Sequence, residues 1–159
     1  MRCVEGLATN GAQVSLLAMK TEKHGNREIR AGGTAASLAH YETVPVNTRI
    51  NPFRMAGNLL FSAEPYDLLR FRSERYSEAL RRLIAESDFD IIQCEGPLFR
   101  YYLEEIRKLD AEIPVIVASG YANDAAMAKP EEFGFSGSIR KPFNIQELSE
   151  TVKMFAVQR

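Results

Sequence analysis

Cysteine and histidine are both scarce in this chain of 159 residues, at two apiece. Cys3 and Cys94 lie far apart in no metal-ligand spacing, which argues against a disulfide framework and for a reducing compartment. His24 and His40 have no partner at ligand spacing, so neither is read as catalytic or metal-bound. An excess of charge of one sign is missing too. Twenty Lys and Arg stand against 21 Asp and Glu, a net charge of -1, which advertises neither nucleic acid nor an acidic partner. Apolar runs such as residues 113–118 are far too short to span a bilayer. Glu5 and Asn10 interrupt the one stretch that could serve as a signal peptide. These absences predict a soluble, cytoplasmic protein that contacts neither nucleic acid nor membrane.

What is present suffices for one core: 45% of the residues are apolar and 26% charged, an ordinary balance for a folded chain of this length. Val4, Leu7 and Ala8 predict a helix over 2–9, closed by Asn10-Gly11 as a C-terminal cap. The apolar run 13–19 reads as a buried strand. Residues 20–41 are polar, contain Gly25 and Gly32-Gly33, and read as a loop with a short helix through 35–40. A strand follows over 42–47, with Pro45 placing it at an edge or strand end. Helices are expected over 52–61, with Phe53, Ala56, Leu59 and Leu60 on one side, and over 73–87, with the stripe Tyr76, Leu80, Leu83 and Ile84. Then come a strand at 89–94 and a helix at 98–109 built on Leu98, Tyr101, Tyr102 and Ile106. The β-branched run 114–119 has the character of a strand buried in a parallel sheet. A short helix over 124–133 and a short strand over 137–140 follow. Asn144 with Glu147 three residues on forms a capping box, opening a last helix to about residue 158.

Alternating strands and helices predict right-handed βαβ units and a mainly parallel sheet. The fold class is therefore α/β, a Rossmann-like three-layer sandwich of the flavodoxin-like or receiver-like kind. A doubly wound domain normally enters through a central strand. Here the sequence starts on a helix, and the opening strand and Gly-rich turn are absent. The strand 13–19 is accordingly expected to lie parallel beside 89–94, or the gap between them to be filled, since a vacant slot would leave two rows of backbone groups unpaired.

Two stretches carry resemblances. Ser119-Gly120-Tyr121 after one strand and Lys141-Pro142-Phe143 after the next sit within PVIVASGYANDAAMAKPEEFGFSGSIRKPFNIQEL. The region that holds it, residues 109 to about 155, resembles the second half of a response-regulator receiver domain of the hybrid histidine kinase type. The resemblance implies that Ser119 and Lys141 hydrogen-bond a phosphoryl group carried by an aspartate. Residues 2–108 contain RCVEGLATNGAQVSLLAM, ETVPV, an Arg-rich helix and FDIIQCEGPLFRYYLEEI. They resemble the N-terminal, acceptor-facing lobe of a GT-B-type glycosyltransferase, without its opening strand, its Gly-rich loop or its donor-binding lobe. The two meet at residues 107–113, on a helix-to-strand turn. The chain thus reads as one α/β domain over 1–159 and a chimera, glycosyltransferase-lobe-like over 1–108 and receiver-like over 109–159.

A receiver needs an aspartate at the end of its third strand and an acidic pair after its first, to hold a divalent metal through carboxylate oxygens. Glu95 falls where that aspartate belongs, and its extra methylene carries the carboxylate forward, so phosphorylation is not expected. Without the acidic pair, neither Mg2+ nor another cofactor is expected. Glu95 is then either a fixed negative charge beside Lys141, imitating the phosphorylated state, or a polar strand-end residue of the transferase-like half. Glu95, Ser119 and Lys141 form the phosphate-site-like set, and Gly96, Pro97, Gly120, Tyr121 and Pro142 the possible binding face. The expected function is a degenerate, non-catalytic receiver-like module of the phosphorelay type, with a signalling protein as partner. The alternative is a truncated acceptor-side transferase lobe, inactive without its donor lobe, binding a sugar acceptor near Glu95-Gly96-Pro97. Arg70, Arg72, Arg75, Arg81 and Arg82 read as a solvated helix face, because Glu74 and Glu78 lie among them and Glu78 stands four residues before Arg82. Cys94 reads as a small core residue. Gly32-Gly33-Thr34 follows no predicted strand and lacks the lysine of a phosphate loop.

Overall fold

Each strand in the computed structural model runs parallel to the strand it pairs with, but the strands form two ladders and not one. The structure describes residues 2–22, 38–61, 66–96, 99–120 and 125–156, without the side chains of Arg2, Cys3, Arg54, Asp67 and Leu68. Helix α1 (Arg2–Thr9) leads into β1 (Val14–Lys20). The turn between them holds Gly11 at φ 87°, a conformation glycine adopts without steric cost and the expected cap. β1 pairs with β2 (Leu38–Pro45) from Val14↔Leu38 to Lys20↔Pro45. Next come α2 (Pro52–Phe61), the short α3 (Tyr66–Leu69) and α4 (Glu74–Glu86). The second ladder is β3 (Ile92–Glu95), β4 (Val115–Ser119) and β5 (Gly137–Arg140), with α5 (Arg100–Leu109) between the first two. Helix α6 (Ala125–Ala128) and a 3-10 helix (Pro130–Phe133) precede β5, and α7 (Ile145–Ala156) follows it.

The α/β class is as the sequence predicts, but the strand arrangement is not. The run 13–19 does not pair with the strand after α4: β1 takes β2 as partner, and among the described residues no ladder joins β1 to β3. Part of the reason lies in residues 38–41, read above as loop and helix. From Leu38 onward, half-buried and exposed residues alternate, the period of a strand with one covered face. β2 is therefore longer than expected and matches β1 along its whole length. Lys20 O accepts from Val46 N at 2.9 Å, so the peptide groups of Lys20 and alternate residues before it face β2. Those of Leu17 and Met19 face away.

Both ladders nevertheless sit between the same two helix layers. β4 is buried along its whole length, and its residues alternate between two cores. Val115 and Val117 join Tyr76, Leu80, Tyr102 and Ile106 under α4 and α5, and Leu17 and Met19 of β1 pack against that cluster. On the other face Ala118 meets Ile139 and Leu148, with Leu7 of α1 and Ile145 of α7 packed against them. Asn10 Nδ2 also donates to Ser149 Oγ at 3.2 Å across α1 and α7. The three layers are thus helix, strands, helix.

Local signals explain most of the boundaries. Ser73 caps α4 by accepting from Tyr76 N at 3.4 Å. The capping box forms reciprocally: Asn144 Oδ1 accepts from Glu147 N at 2.9 Å, and Glu147 Oε2 from Asn144 N at 3.0 Å. The expected helix over 124–133 is divided, because Pro130 has no N–H to continue α6 and starts the 3-10 turn instead. The turn at 107–113 is bound by side chains. Arg107 donates to Ile113 O at 2.5 Å and Gly134 O at 3.3 Å, and Asp110 Oδ1 accepts from Ile113 N at 2.9 Å. Helix α2 departs from expectation in its surroundings. Its apolar side faces outward, with Phe53 87% and Leu59 84% exposed.

Candidate functional site at the strand ends

Three parallel strands end side by side, so the residues following them share one rim. Glu95 is the last residue of β3 and Ser119 of β4, while Lys141 directly follows β5. The registers Glu95↔Ala118 and Ser119↔Arg140 bring these ends together. Lys141 N donates to Ser119 O at 2.9 Å, extending the β4–β5 ladder by one bond. The Lys141–Pro142 peptide is cis.

Two of the three candidate side chains meet, those of Lys141 and Glu95. Lys141 Nζ forms an ion pair with Glu95 Oε2, with the two side chains 41% and 50% exposed. The other carboxylate oxygen of Glu95 accepts from Gln93 Nε2 at 2.5 Å. Sequence reasoning missed Gln93, although the signal was there: residues two apart on a strand share a face. Ser119 is buried, whereas Gly120 beside it is exposed. Gly96 holds φ 104°, letting the chain turn sharply after Glu95. Pro97 and Tyr121 lie outside the described residues, as do His24 and Gly32-Gly33-Thr34.

Chemically, the rim holds one lysine already neutralised by one carboxylate. An incoming phosphoryl group would have to displace Glu95 from Lys141. A hard divalent cation needs several oxygen ligands, carboxylates above all. Both oxygens of Glu95 are engaged by Lys141 and Gln93. Among the described residues no group of three or more Asp, Glu, His or Cys could hold a metal ion.

Other candidates separate from the rim. Cys94 is buried, and burial pushes its thiol up to about 12, with the neighbouring charge of Glu95 adding to the rise. It is a core residue without nucleophilic character at neutral pH. The arginines prove more engaged than a solvated face. Arg82 pairs with Glu42 on β2 at 2.7 Å, in place of the expected Glu78. Arg81 reaches Glu74 at 2.5 Å, and Arg72 lies over the Tyr101 ring at 4.3 Å. His40 Nε2 stands 3.4 Å from Glu42 Oε2. No helix among the described residues is long and apolar enough to cross a membrane.

No family model matches the chain. Over 71 residues, 44% of its length, it is 39% identical to sensor kinase CckA of Brucella abortus (strain 2308), and the match takes in 7% of that protein. Among solved structures it resembles the receiver domain of sensor histidine kinase PA1611 from Pseudomonas aeruginosa PAO1, at 15% identity and a TM-score of 0.46, covering 92% of this chain and 99% of that one. Neither comparison supports the glycosyltransferase-like reading of residues 1–108 or the chimera.

Proposed function

We propose that the chain is a non-catalytic, receiver-like module of the phosphorelay type, cytoplasmic and read by a signalling protein partner. The observation that carries this reading is the Lys141–Glu95 ion pair beside Ser119 at the joined ends of β3, β4 and β5. The 71-residue similarity to a sensor kinase supports it. In this reading Glu95 is a built-in charge that keeps Lys141 occupied, so the rim holds one state without phosphoryl transfer. Its carboxylate already has two donors, Lys141 and Gln93, and among the described residues no group of three or more Asp, Glu, His or Cys could hold a metal ion.

The test is incubation with a small-molecule phosphodonor and magnesium, followed by intact-mass measurement. The expected product is the unmodified chain. A mass gain of one phosphoryl group, mapped to Glu95 or any other carboxylate, would overturn the proposal.

A further inference from the structure

Among the described residues, the inner edges of the two ladders carry no partner strand. Lys20 and alternate residues before it turn their peptide groups to β2, so those of Ser15, Leu17 and Met19 form the opposite edge of β1. On β3, Ile92 N donates to Pro114 O at 2.9 Å. Ile92 and Cys94 thus turn to β4, and the peptide groups of Gln93 and Glu95 turn away from it. Tyr76 connects the two edges. Its hydroxyl donates to Leu17 O at 3.2 Å, and its ring shares a buried cluster with Cys94 of β3. Both edges therefore border one region between the helix layers.

β1 has the composition of an interior strand and the burial of an outer one. Leu16 and Leu17 fall on opposite faces, with Val14, Ala18 and Met19 beside them. Apolar residues on both faces suit a strand with helices above and below. Yet residues 14–19 are all only half-buried. Ile92 and Gln93 of β3, with a strand on one side, are half-buried as well. β4, with a strand on each side, is buried throughout.

We propose that these two edges take up an extended, apolar segment of a partner protein as an added strand joining β1 to β3. The edges specify the occupant. Rows of amide and carbonyl groups are answered by another backbone. Helix layers on both faces call for apolar side chains on both sides of it. A lipid or a small apolar molecule would leave both rows of polar groups unanswered. A second copy has no described strand to give, since all five are already paired. Until the segment arrives, the Tyr76 hydroxyl holds Leu17 O, and the incoming backbone displaces it.

The test titrates two labelled synthetic peptides into the full chain. One is a short run of valine and isoleucine with lysine tails for solubility. The other is the same peptide N-methylated at alternate residues, which keeps the side chains and removes backbone donors. The first is expected to bind saturably, at least about ten-fold more tightly than the second. It should also slow amide exchange at Ser15, Leu17, Met19, Gln93 and Glu95. Tyr76→Phe, which frees Leu17 O, should tighten binding by about five-fold. Equal binding of the two peptides, no binding to either the chain or its Tyr76→Phe variant, or protection confined to β2 or β5 would overturn the proposal. So would protection of the same amides before any peptide is added, in a chain that sediments as a dimer.

Discussion

Lys141 reaches past the buried end of β4 to pair with Glu95, closing an ion pair between two strands that are not neighbours. Both side chains are more than a third exposed, so solvent screening and side-chain entropy offset most of the Coulomb gain. Lys141→Ala should therefore cost about 1 kcal/mol or less in chemical denaturation. The coupling between Lys141→Ala and Glu95→Gln in a double-mutant cycle should be small and favourable. A coupling of zero would mean that the pair has no energetic role.

Much of this rim is legible in the sequence because each part is local. The strand 137–140 and the capping box at Asn144 are fixed by β-periodicity and by residues three apart. The run 114–118 is apolar throughout because β4 is covered on both faces. The failures concern partners distant in sequence. Nothing within residues 38–41 says that a strand will pair there with β1, since pairing depends on register with residues more than twenty positions earlier. Nor does the apolar side of α2 announce that it stays uncovered, because periodicity reports a face and not its neighbour. The arginines show the same limit. Glu42, the partner of Arg82, is 40 positions away and invisible to a rule about residues four apart.

Glu42 should make stability sensitive to acid. The hydrogen bond from Arg82 holds its carboxyl below the usual carboxylate range, and His40 adds to the effect while partial burial opposes it. A depressed folded-state value contributes stability above the unfolded-state pKa, and that contribution is lost as pH falls through the folded value. The denaturation midpoint of the Glu42→Gln variant should thus fall less than that of the unmodified chain between about pH 5 and pH 3. Parallel acid limbs for the two proteins would exclude a role for this pair.

Cys94 should respond in the opposite direction of pH. Its thiol is raised by burial to about 12, so its neutral form contributes stability below the ordinary thiol value. That contribution is lost as pH climbs toward the folded value. In a Cys3→Ser background, Cys94 is expected to resist a thiol reagent at neutral pH and react fully in denaturant. Rapid labelling of the native protein would show that β3 opens far more readily than its burial implies.

Gly137 sits at the start of β5 directly beneath the ring of Phe155, with no room for a Cβ between them. Gly137→Ala must displace that ring and should cost about 1–3 kcal/mol, the range for overpacking a filled interior. In a Phe155→Ala background the same substitution should be nearly neutral. An equal cost in both backgrounds would place the strain in the backbone instead.

The Tyr76 hydroxyl donates to Leu17 O at 3.2 Å, on the side of β1 that faces away from β2. A helix side chain thus satisfies an acceptor that a sheet would satisfy with another strand. Among the described residues, side chains and helix layers join β1–β2 to β3–β4–β5 without a backbone ladder. Cooperativity follows the hydrogen-bonded units. The first ladder can therefore open while the second stays closed, and amide exchange should divide the chain into two tiers. The amides of β4, paired on both sides, belong to the slow tier, and those of half-buried β1 to the fast one. Loss of the Tyr76 hydroxyl would widen the separation between them.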